Sequence, residues 1–75
     1  MKYEVKVEKP NKDGYIMFAE TFEGLKLLIK FILTDDLEDK NSLIIRRMIN
    51  DKTFIQLEID WWDFDKYENN LIYIK

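Results

Sequence analysis

KYEVKVEKPNKDGYIMFAE, residues Lys2–Glu20, decides the architecture. Tyr3, Val5 and Val7 alternate with Lys2, Glu4, Lys6 and Glu8, so a strand here has one apolar face and one wet face. Pro10-Asn11-Lys12-Asp13-Gly14 is turn chemistry, with Asp-Gly expected to supply a positive-φ position. Tyr15–Glu20 reads as the returning strand. The chain therefore opens with an antiparallel hairpin whose apolar face must be covered by something further along.

The cover comes next. Thr21 is placed to cap a helix from Phe22 to about Leu33. Phe22, Leu25, Leu28, Ile29 and Ile32 recur at the helical period and form the stripe that should face the sheet, with Glu23, Lys26 and Lys30 on the wet side. Leu27 and Phe31 widen the apolar arc, so a well-covered helix is expected. Gly24 in the first turn costs about 1 kcal/mol against alanine, which close approach of helix and sheet would explain. Asp35 and Asp36 lie where the helix dipole favours basic residues.

Downstream, Ser42–Ile49 and Thr53–Trp62 read as two strands around a tight turn at Asn50-Asp51-Lys52. Ile55, Leu57, Ile59 and Trp61 share one parity and are assigned to the core. Phe54, Gln56, Glu58, Asp60 and Trp62 share the other. Arg46 and Arg47 split between the faces, and the sequence does not decide which of them points inward. Leu71–Lys75 reads as a short last strand. The expected fold is thus α+β, a small antiparallel sheet in β-β-α-β-β-β order with one helix packed across one face, in a single domain spanning residues 1–75.

Composition narrows the function. Seventy-five residues without cysteine or histidine lack disulfide and zinc staples, so packing, and association if it occurs, must supply stability. The same absences exclude Ser-His-Asp and Cys-His nucleophile systems and the usual zinc ligand sets. Two glycines far apart cannot build a phosphate-cradling loop. No cofactor is expected. The longest apolar run, Leu25–Leu33, is short and carries Lys26 and Lys30, so no membrane span is expected and a cytoplasmic protein is the default.

The net charge of −3 is unevenly distributed. Asp35–Lys40 sums to −3 and Glu58–Glu68, EIDWWDFDKYE, to −4, which leaves the rest of the chain at +4. Glu58 and Asp60, two apart on one strand face, would suit an acid/base pair or a magnesium site. A metal nuclease of the Glu-x-Lys type would need lysine at position 60, and Asp63-x-Asp65-x-Tyr67 lacks the glycine and terminal glutamate of a calcium loop. A carboxylate-metal enzyme therefore ranks third, and the expectation is a non-enzymatic protein. Direct nucleic-acid binding is not expected, because Glu4 and Glu8 interrupt the lysines and the pI is about 4.9.

Hairpin topology places the loop entering the third strand beside the segment leaving the fourth. Asp35, Asp36, Glu38 and Asp39 would then join Glu58, Asp60, Asp63, Asp65 and Glu68 in one acidic patch, with Trp62 and Tyr67 as contact area and Phe64 tucked under the sheet. Such a patch suits a basic surface or groove on another protein. The leading expectation is an inhibitor that occupies a nucleic-acid-binding groove by charge mimicry. In size and charge, though in no motif, this resembles the small acidic inhibitors of phages and mobile elements. The alternative is a homodimer formed through the sheet face the helix leaves open, where Ile44 or Ile45, Phe54 and Trp62 would gather.

Overall fold

A computed structural model of the chain describes residues 2–35 and 41–75. Strands β1 (Tyr3–Lys9) and β2 (Lys12–Ala19), helix α1 (Phe22–Asp35), strands β3 (Ser42–Met48) and β4 (Phe54–Asp60), a 3₁₀ turn (Trp61–Lys66) and a short helix α2 (Tyr67–Leu71) follow in that order. The strands form one antiparallel sheet in spatial order β2-β1-β3-β4. The expected α+β architecture is present.

The alternation in β1 sorts the sheet into two faces. Tyr3, Val5 and Val7 are buried together with Ala19, Leu43, Ile45 and Ile59, and this face carries the helices. Leu25, Ile29 and Ile32 of α1 complete that core over β1 and β2, as their spacing requires. Thr21 caps α1 as expected, its Oγ1 accepting from the Gly24 N–H at 3.0 Å. A Cβ on Gly24 would stand 3.1 Å from Thr21 Oγ1 and 3.7 Å from the Ala19 Cβ. The glycine thus lets the capped end of the helix sit close to the end of β2.

Three local expectations are corrected. Leu71–Lys75 is not a strand: Leu71 ends α2, and Leu71 and Ile74 are both buried. Phe64, Tyr67, Leu71 and Ile74 are spaced three, four and three apart, a helical stripe that the polar Glu68-Asn69-Asn70 disguises as a turn. This second helical segment covers the β3–β4 half of the face that α1 cannot reach. Conversely, the apolar arc of α1 is not fully covered, since Leu27 and Phe31 are exposed.

The first hairpin also differs. Lys9 pairs with Lys12, so Pro10 and Asn11 alone make the turn and Gly14 lies inside β2. Between the pairs Val7–Tyr15 and Lys9–Lys12, Glu8 is opposed by both Asp13 and Gly14, a β-bulge on β2. Gly14 does not occupy the left-handed region. It is required because any Cβ there would run into the Val7 carbonyl, whose oxygen and carbon both crowd the position.

The β3–β4 register, Met48 opposite Phe54 and Ser42 opposite Asp60, resolves the two arginines. Arg47 falls on the helix-covered face, opposite Tyr3 and Ile55, and donates from Nη1 to the Lys75 carbonyl at 3.2 Å. Arg46 falls on the open face. There its Nε donates to Gln56 Oε1 at 2.9 Å, and its guanidinium lies 4.5 Å from the centre of the Phe54 ring.

Candidate functional site: the acidic-aromatic end

Strand β4 carries Glu58 and Asp60 on the open face of the sheet and stops there. At Trp61 the backbone turns into 3₁₀ geometry, which breaks the alternation that assigned Trp61 to the core. Trp61 is instead 43% exposed, and Trp62, as expected, is 61% exposed. The two indoles meet edge to face with their centroids 5.6 Å apart. They form an apolar corner in a geometry favourable to aromatic pairs.

Phe64 is the anchor of this corner. It is buried in the core, as expected of a plug, and it fixes the 3₁₀ turn against the sheet. Asp63 and Asp65 flank it, the first half-buried and the second exposed. Tyr67 is partly buried against the core and donates its hydroxyl to Glu68 Oε1 at 3.3 Å. Burial raises the Tyr67 pKa above its ordinary value, and the neighbouring Glu68 carboxylate adds to the shift through its charge and its hydrogen bond. The ring offers less free surface than a fully exposed tyrosine would.

Glu58, Asp60, Trp62, Asp63, Asp65, Tyr67 and Glu68 therefore come from three consecutive elements, β4, the 3₁₀ turn and α2, but they do not share one plane. Glu58 and Asp60 face the open side of the sheet. Asp63 to Glu68 belong to elements packed on its covered side. The Trp61–Trp62 pair lies at the joint between them. Asp35 is the last residue of α1, while Asp36, Glu38 and Asp39 lie outside the described residues. What is fixed is the entry point of that acidic segment. Asn41 is buried, and the next residue, Ser42, pairs with Asp60. The chain from α1 thus enters the sheet beside the point where β4 leaves it, as the hairpin argument required.

Among the described residues no three acidic side chains are grouped to hold a metal ion, and no helix is long and apolar enough to cross a membrane. The exposed tryptophan at position 61 was missed from sequence because strand parity was carried one residue too far. The signal available was the acidic, aromatic composition of Trp61–Lys66, which suits no regular strand. Comparison of the chain with protein families, curated proteins and solved structures returns no match.

Proposed function

We propose that the chain is a non-enzymatic binding protein whose acidic-aromatic end docks into a basic, nucleic-acid-binding groove of another protein and blocks it by charge mimicry. The observation that carries this reading is the exposed Trp61–Trp62 pair, held on a 3₁₀ turn by the buried Phe64 and bracketed by Asp60, Asp63 and Asp65. Exposed tryptophans are costly to leave in water and are the residue type most often dominant in protein interfaces. Carboxylates around them steer a basic partner into place and set salt sensitivity.

The test is affinity capture from the native host followed by identification of what is retained. A captured protein should be released by salt, displaced by duplex nucleic acid, and lost on Trp62→Ala or on the pair Asp63→Asn and Asp65→Asn. Equal retention by the neutralised variant would sink the reading.

A further inference from the structure

The open face of the sheet has its own pattern, independent of the acidic end. Running across β2-β1-β3-β4, one row reads Phe18, Glu4, Arg46 and Gln56, and the next reads Ile16, Lys6, Ile44 and Glu58. Met48 and Phe54 flank the first row, and Glu8, Ser42 and Asp60 flank the second. Ile16 is 49% exposed, Phe18 51% and Phe54 42%. Both helices lie on the other side, so among the described residues no element packs over these side chains.

On this face β1 presents Glu4 and Lys6 on either side of the buried Val5, with Glu8 beyond them. Reversed, the central pair reads Lys, Glu: both signs are inverted. A strand with this property is complementary to itself when turned end for end. We infer that the open face is covered by a second copy of this chain, packed face to face about a two-fold axis that crosses the strands near Val5.

That axis lays β1 over the β1 of the partner in the opposite direction. Glu4 then meets the partner's Lys6, a pair that occurs twice by symmetry. On β2 the same operation sets Phe18 against the partner's Ile16, so the two apolar groups of the edge strand cover one another. On β3 it sets Arg46 over the partner's Ile44, and on β4 it brings Gln56 to the partner's Glu58. No like charges are brought face to face along β1. Two sheets packed this way make an aligned sandwich about 10 Å thick, with all helices outside.

The size of the face is sufficient. Four strands about 4.8 Å apart and seven residues long at about 3.3 Å each give a footprint of about 19 by 23 Å. With its side-chain relief, such a face covers about 600 Å² per partner, the lower end of specific interfaces. Affinity comes from Phe18, Ile16 and Met48. The charges contribute register, since ion pairs in a covered interface offset little more than their own desolvation. This inference does not rest on the proposed function: Asp63, Asp65 and Glu68 belong to elements on the covered side and stay outside the interface, and of the carboxylates that bracket the tryptophans only Asp60, at its margin, is shared.

Sedimentation equilibrium of the full chain across micromolar concentrations tests it. The expected result is a dimer that Lys6→Glu weakens by about 100-fold or more, because it sets glutamates against each other. The double exchange Glu4→Lys with Lys6→Glu restores self-complementarity and should recover most of the loss. Phe18→Lys, a change at an exposed position, should leave the circular dichroism spectrum unchanged and abolish the dimer. A chain monomeric at hundreds of micromolar overturns the inference. So does a dimer indifferent to Phe18→Lys, or one that the double exchange fails to recover while both variants keep the native spectrum.

Discussion

Gly14→Ala is the sharpest probe of the first hairpin. The added Cβ would collide with the Val7 carbonyl oxygen, lie 2.9 Å from the Val7 carbonyl carbon and stand 3.4 Å from the Glu8 Cα. All three are backbone atoms of β1, a strand paired on both sides, so no side chain can swing away to make room. Overpacking of this kind costs about 1–3 kcal/mol, and the loss of unfolded-state freedom at alanine returns about 0.4–1 kcal/mol. A net loss of about 1–2 kcal/mol follows, which in a domain of this size lowers Tm by about 5–15 °C. Gly24→Ala is the internal control. There the nearest atom is the Thr21 hydroxyl oxygen at 3.1 Å, a side-chain atom that can give way. A helix-propensity gain of about 1 kcal/mol is set against a loosened cap worth about 1 kcal/mol, so the net change should stay within about 0.5 kcal/mol. Thermal and urea melts of the two variants beside the parent read both values. If Gly14→Ala melted with the parent, or if Gly24→Ala proved the more damaging, the account of the bulge would be wrong.

Two further outcomes are expected. Ile74→Ala and Leu71→Ala, which empty buried positions, should each cost about 2–4 kcal/mol, whereas Tyr73→Ala at an exposed position should cost under about 0.5 kcal/mol; a last strand would instead group Leu71 with Tyr73. Because the folded state raises the Tyr67 pKa above its ordinary value near 10, the stability this residue contributes is complete below that value. It declines as pH rises through the raised pKa. Tyr67→Phe should flatten that alkaline loss in urea melts taken at successive pH values, and an unchanged slope would contradict the assignment.

Much of the fold was legible because binary patterns are local. The alternation of Tyr3, Val5 and Val7, the helical stripe through Leu25, Ile29 and Ile32, and the cap at Thr21 each follow from a few adjacent residues. What was not legible depended on where a pattern stops. Strand parity assigns Trp61 to the core only if the strand continues, and the chain leaves strand geometry immediately after Asp60. The Phe64-Tyr67-Leu71-Ile74 stripe carries a helical spacing, but two asparagines inside it have the chemistry of a turn, and only the uncovered β3–β4 half of the sheet decides between them. Arg46 and Arg47 could not be separated from sequence because their facing depends on the length of the turn that follows them. For the candidate site, the composition of Glu58–Glu68 was informative and its division between two sides of the sheet was not.

The bulge at Asp13-Gly14 has a consequence for colony-wide behaviour of the chain, in a crowded solution rather than in one molecule. Strand β2 is an outer strand with an apolar run from Tyr15 to Ala19, the sort of border on which polymers nucleate by adding strand after strand. An extra residue increases the local twist and interrupts the regular spacing of donors and acceptors along that border. Strand-by-strand growth is thereby obstructed at this border, whereas the proposed two-fold contact on the flat of the sheet would close on itself and go no further.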